Sequence, residues 1–154
     1  MAAVMGLRRA VTGDAAAIGV LTVAAYGKWV GVIGREPLPM RADPMAALLR
    51  HRVDVIDGVG LLAGLIETQL KADHLWVESV AVHPDWQGQG LGRRLIAQAE
   101  VLARAAGLGE VRLLTNPAFV GNVAFYQGLG FQIDREEPFR GGWTTYLSKG
   151  LTAR

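Results

Sequence analysis

The chain has 154 residues, enough for one well-buried core but short for two. Its 16 basic and 14 acidic residues leave a net charge of +2, and only Arg8-Arg9 and Arg93-Arg94 are adjacent basic pairs, which excludes a nucleic-acid-binding stripe. Cysteine is absent, so a disulfide framework, a thiolate metal site and a cysteine nucleophile are excluded.

Leu7 to Val11 reads as a short strand, and Asp14 is placed to cap a helix running through Ile18, Leu21 and Ala25. The apolar run Ala15 to Gly27 is about half of the ~20 residues that span a bilayer and is flanked by Asp14 and Lys28, so a buried helix is expected. Arg8 and Arg9 follow the first apolar residues, which is not the order of an export signal, and a cytoplasmic location is expected. Glycines and prolines from Gly31 to Pro44 predict a loop that ends at a second helix, capped by Asp43 with Pro44 at its first position. Val53 to Ile56 and Val59 to Leu70, on either side of Asp57-Gly58, predict a hairpin with a two-residue turn.

His74 to Val82 predicts a central strand that ends at His83-Pro84-Asp85, because proline cannot continue the ladder. Leu91, Leu95, Ile96, Ala99 and Leu102 then recur at helical spacing up to Gly107, a natural C-cap, and Val111 to Thr115 is the next strand. A short helix over Gly121 to Leu129 is closed by Gly130. Phe131 to Asp134 and Trp143 to Leu147 predict a final antiparallel pair joined by a loop over Glu137 to Gly142. No repeat or linker interrupts the chain, so residues 1–154 are expected to form one domain.

The stretch VAVHPDWQGQGLGRRL sets Gly88, Gly90 and Gly92 between a strand and an amphipathic helix. Glycine lets backbone N–H groups converge on an anion with no Cβ in the way, and a helix start adds orphan donors and the positive end of its dipole. Arg93 and Arg94 in the first turn oppose that dipole by roughly 0.3–1 kcal/mol each unless an anion docks there. The alternative is a flexible glycine turn with two solvated arginines. A P-loop would need Lys-Ser/Thr after its last glycine and a dinucleotide fingerprint would need GxGxxG, and neither fits.

QGQGLG resembles the QxxGxG signature of the GNAT acetyltransferase superfamily, and NVAFYQGLGF resembles that family's second motif, in which a tyrosine precedes Gly-Phe. The resemblance extends from Leu7 to Leu147. It implies an α/β (α+β) fold with a central mixed, mostly antiparallel twisted sheet of about six to seven strands and about four helices. The implied activity is transfer of an acetyl group from acetyl-CoA to a primary amine by direct attack in a ternary complex. Backbone groups of Val80, Ala81 and Val82 would then meet the pantetheine arm, Gln87, Gly88, Gln89, Gly90, Leu91, Gly92 and Arg93 would hold the pyrophosphate, and Tyr126 would sit near the sulfur. Many members carry a cofactor-contacting asparagine where this chain has Phe119, and Asn122 is the replacement candidate.

Acyl transfer to an amine makes two proton demands. An alkylammonium with a pKa of ~10.4 must lose a proton before attacking. Glu78, a charged residue inside LWVESVAV, is the candidate acceptor of that proton; under ideal alternation it shares a face with Val82, and a bulge would change that face. A surface ion pair is the competing reading of Glu78. Tyr126 takes the thiolate-protonating role from the resemblance, with aromatic packing as its alternative, and the Val82 amide is the candidate oxyanion donor. His74 and His83 read as strand-end histidines, and three dispersed histidines do not predict a metal site.

The acceptor pocket implied by the family is built from early helices and the late hairpin, where Tyr26, Trp29, Glu36, Met40 and Trp143 are the candidates. The acceptor is a small-molecule or peptide amine; no nucleic acid or membrane partner is expected. A hydrophobic fraction of 51% and a mean hydropathy of +0.24 leave apolar surface that a homodimer would cover. The rival readings are a non-catalytic acyl-CoA-binding or regulatory domain and a nucleotide-binding module.

Overall fold

The computed structural model describes residues 6–152; the single-domain expectation therefore includes terminal residues outside the described ones, as does the start of the segment that bears on export. Seven strands form one sheet in the order β1-β2-β3-β4-β5-β7-β6: β1 Leu7–Arg9, β2 Arg52–Asp57, β3 Leu62–Leu70, β4 Leu75–Val82, β5 Glu110–Thr115, β6 Gln132–Phe139 and β7 Gly142–Gly150. The pairs β1/β2, β2/β3, β5/β7 and β6/β7 are antiparallel, and β4/β5 is parallel through Leu75↔Val111 and Trp76↔Arg112. This is the mixed, mostly antiparallel sheet expected. Among the described residues six α-helices accompany it: α1 Ala15–Tyr26, α2 Val30–Ile33, α3 Leu38–Arg41, α4 Pro44–Arg50, α5 Leu91–Ala105 and α6 Asn122–Gly128.

The described residues fall into two compact units. One comprises those up to Gln69 together with Glu78–Ala97, the other Leu70–Val77 together with those from Gln98 onward. In the first unit, Ile18, Leu21 and Ala25 of α1 pack on Val53, Val55, Leu65 and Ala81, and full burial of a leucine such as Leu21 contributes about 1.5–3 kcal/mol. Leu91, Leu95 and Ile96 of α5 are buried as well, with the Leu95 side chain against Gly64 of β3. The second unit is built on β5, β6 and β7, with Val111, Leu113 and Leu147 buried; β6 is exposed along its whole length.

Several expectations need correction. Asp14 does not cap α1: a 3₁₀ turn at Thr12–Asp14 precedes the helix, and the Asp14 carboxylate accepts from the Val11 amide (2.7 Å) and from Arg8. Nor is α1 a buried helix, since only the stripe Ile18, Leu21 and Ala25 is covered while Val20 and Val23 are exposed. Through the 3₁₀ turn Gly27–Trp29 and α2, the helical stretch Thr12–Ile33 reaches 22 residues, long and apolar enough by length and composition to cross a membrane. The sequence from Gly31 to Pro44 is not one loop, because α2 ends at Gly34 in a left-handed conformation (φ +73) and α3 forms a single further turn. Asp43 does cap α4, accepting from the Met45 amide at 3.0 Å.

Both hairpins differ from expectation in their turns. The β2–β3 connection takes four residues, with Gly60 at φ +74 and the Gly58 amide donating to the Leu61 carbonyl at 2.8 Å, rather than the two-residue turn predicted at Asp57-Gly58. The β6–β7 connection is shorter than predicted: only Arg140 and Gly141 separate the strands, both at positive φ, as a type I′ turn requires.

Candidate active site

The glycine-rich segment lies in the first unit and is fixed on both sides. After β4, the His83 amide donates to the Ala63 carbonyl (2.8 Å), and the His83 ring accepts from the Asp85 amide (3.1 Å), capping the 3₁₀ turn Pro84–Trp86. Trp86 is buried against the β2–β3 connection, where a Cβ on Gly58 would come within 3.0 Å of its ring. The side chain of Gln87 reaches back to the Val82 carbonyl at 3.3 Å, and that of Gln89 to the Asp85 carbonyl at 3.4 Å. Both glutamines, expected at the pyrophosphate, brace their own loop through these bonds.

Gly88 and Gly90 have φ of +79° and +82°, a region L side chains rarely adopt, and a Cβ built on either meets no protein atom within 4 Å. The space above them is open. The Arg94 amide donates to the Gly90 carbonyl (3.1 Å), so the amides of Leu91, Gly92 and Arg93 form the first turn of α5 and lack intrahelical acceptors. Buried Leu91 and Leu95 hold this helix end in place, while Arg93 and Arg94 are exposed and have no ion-pair partner among the described residues. Positive-φ glycines, free helix amides and unpaired guanidinium groups together form a surface suited to an anion with several oxygens, such as a pyrophosphate.

Strand β4 does not keep strict alternation. Val53, Val55 and Leu65 pack toward α1, and Gln69, four residues after Leu65 on β3, is on the same face. The Gln69 side-chain amide donates to Glu78 at 3.1 Å, which puts Glu78 on the α1 face; Ala81 packs into the α1 cluster too. Three residues apart, Glu78 and Ala81 would lie on opposite faces of a regular strand, so β4 slips by one residue between them, as at a β-bulge. The expected shared face of Glu78 and Val82 is thereby lost: Val82 follows Ala81 and points the other way. Glu78 itself is exposed.

At this slip the Tyr26 hydroxyl, from the end of α1, donates to the Val80 carbonyl at 2.9 Å and is hydrogen bonded to Ser79. Burial raises the phenol above its ordinary pKa, and the negative charge of Glu67 adds to the rise. Glu67 is in turn 2.5 Å from Nδ1 of His51. Ser79, Glu67 and His51 were not singled out from the sequence. Glu67 alone carried a signal, as a charged residue in phase with the apolar face of β3.

The remaining acceptor candidates are divided between the two units. Trp29 is half-buried beneath the Lys28 ammonium (4.8 Å from the ring centroid), Met40 is half-buried on α3, and Glu36 is exposed. In the second unit, Trp143 of β7 is exposed. There Asn122, at the start of α6, donates to the Thr115 hydroxyl at 3.3 Å, while Phe119 is buried in the preceding turn. Tyr126 is 9% exposed, edge-on to Phe131 (ring centroids 5.7 Å apart) and beside Phe125. Among the described residues, no group of three or more His, Cys, Asp or Glu side chains is arranged to hold a metal ion.

A profile of the acetyltransferase (GNAT) family matches residues 19–131. Aminoglycoside N(6')-acetyltransferase type 1 of Stenotrophomonas maltophilia is 28% identical over 142 residues, covering 82% of this chain and 85% of that protein. The uncharacterized N-acetyltransferase ycf52 of Gracilaria tenuistipitata var. liui is 36% identical over 76 residues, 49% of this chain, and the match spans only 38% of the relative's own length. Among solved structures, the PaiA N-acetyltransferase of Thermoplasma acidophilum, in complex with coenzyme A, superposes with a TM-score of 0.81 at 17% identity, covering 96% of this chain and 99% of that one. At that identity the likeness speaks for the fold.

Proposed function

Because the chain belongs to the GNAT acetyltransferase family, we propose that it moves the acetyl group of acetyl-CoA to a primary amine by direct attack in a ternary complex. The observation that carries the reading is the open pair of positive-φ glycines, Gly88 and Gly90, at the start of a helix whose first-turn arginines have no ion-pair partner among the described residues. Bound acetyl-CoA would supply an activated thioester carbonyl for the amine to attack. The amides from Gln87 to Arg93 would hold its pyrophosphate, and the backbone of Val80 to Val82 its pantetheine arm, with the Val82 amide donating to the thioester oxygen as negative charge builds on it. In this reading Glu78, through water, takes the proton of the acceptor ammonium.

Tyr126 is assigned the proton for the departing sulfur on the strength of the motif NVAFYQGLGF. Its ring packs against Phe125 and Phe131, contacts that would hold the hydroxyl in place. The acceptor is an amine; that relatives are named for acetylating an aminoglycoside and the alanine of a ribosomal protein supports small molecules and peptide termini equally.

Thermal shift and calorimetry with acetyl-CoA and with a nicotinamide dinucleotide test the cradle. Stabilisation by acetyl-CoA and none by the dinucleotide is expected. The reverse preference would replace this reading with a nucleotide-binding module.

A further inference from the structure

We propose that Tyr26 is a positioning residue for acyl-CoA: its hydroxyl takes up the Val80 carbonyl at the slip in β4 and so fixes the direction of the backbone groups from Val80 to Val82. The inference rests on the acetyl-CoA reading above. In a regular strand a buried carbonyl accepts from a neighbouring strand, but at a bulge the ladder is interrupted and that acceptor needs another donor. Tyr26 supplies it from 54 residues away in sequence, at 2.9 Å.

The local chemistry keeps this donor in place. The phenol is also hydrogen bonded to Ser79, which restricts it to one side of the strand, and α1 is held by Ile18, Leu21 and Ala25 in the cluster that includes Ala81. Burial and the Glu67 carboxylate both disfavour phenolate, so Tyr26 remains a donor at neutral pH; Glu67 is engaged by His51. Tyr26 thus contributes through β4 without itself touching the thioester, a role distinct from lining the acceptor pocket.

The test compares two ligands in wild type and Tyr26→Phe by calorimetry: acetyl-CoA, which reaches both the cradle and β4, and 3′-phosphoadenosine diphosphate, the nucleotide end that reaches the cradle alone. The substitution keeps the ring and its packing. Acetyl-CoA affinity is expected to fall about tenfold while the nucleotide end binds as in wild type. Amide hydrogen exchange over Val80 to Val82 in the free protein is expected to speed up in the variant. Equal loss for both ligands would make Tyr26 a packing residue, and unchanged acetyl-CoA affinity with unchanged exchange would also overturn the inference. Failure of the wild type to bind acetyl-CoA at all would instead remove the underlying reading, and this inference with it.

Discussion

Gln69 and Glu78 meet across β3 and β4, the amide of one donating to the carboxylate of the other at 3.1 Å, on the face of the sheet that packs on α1. The bond orients an exposed carboxylate without neutralising it, which suits a group that passes a proton through water. Glu78→Gln is expected to lower kcat/KM for an amine acceptor by roughly a hundredfold at neutral pH and to leave acetyl-CoA affinity unchanged. Steady-state thiol release, paired with calorimetry on the same variant, reads both. Full activity in Glu78→Gln would leave Glu78 a surface residue.

Gly90 is open above and left-handed in its backbone, so a side chain there strains the loop and occupies the space proposed for phosphate. Gly90→Val is expected to lose at least a hundredfold in acetyl-CoA affinity, with a stability loss of about 1–2 kcal/mol from the backbone alone. Calorimetry gives the first and thermal unfolding the second. Unchanged affinity would remove the cradle assignment.

Arg8 grips two carboxylates. Its Nη1 and Nη2 bond the two oxygens of Asp14 at 2.9 Å each, and Nε and Nη2 bond Asp57 at 2.7 and 3.0 Å. Hydrogen bonding to Arg8 is the main cause holding both carboxyls below their ordinary range. A depressed folded-state value means the contribution is present in full above the unfolded value of ~3.9 and is lost as pH falls through the folded one. The arginine is partly exposed, so Arg8→Ala is expected to cost about 1 kcal/mol, or roughly 2–4 °C in Tm, at pH 7. The gap between variant and wild type should shrink below about pH 4 in melts across that range.

Tyr126 packs its ring between Phe125 and Phe131, so Tyr126→Phe retains the packing and removes only the hydroxyl. If that hydroxyl protonates the departing thiolate, kcat should fall about a hundredfold while the Kd for acetyl-CoA changes less than twofold. A matched loss of affinity with unchanged kcat would make it a packing residue.

The segment from β4 through the glycines into α5 was legible because each signal reinforced the next: a proline ended the strand, Gly88 and Gly90 took positive φ, and the Leu91–Leu95–Ile96 stripe became buried. What sequence hid was decided by contacts between distant residues. The β2–β3 turn lengthened to four residues where Gly58 meets the Trp86 ring, and the β6–β7 turn was missed because Arg140 takes a left-handed φ of +49° that few non-glycine residues adopt. Single helical turns at α2 and α3 were masked by the glycines and prolines around them. The shared face expected of Glu78 and Val82 was lost to a one-residue slip that alternation cannot reveal, and the bond to the Val80 carbonyl from Tyr26, named from the sequence only for the acceptor pocket, became visible once α1 was laid on β3 and β4.

Acetyl transfer to an amine is read out by thiol release from acetyl-CoA across a panel of primary amines, with mass spectrometry of the products. Amine-dependent thiol release and an acetylated amine in equal amount are expected for at least one class of acceptor. Tight binding of acetyl-CoA with no amine-dependent release from any of a panel spanning polyamines, aminoglycosides, free amino acids and peptide N-termini would contradict it.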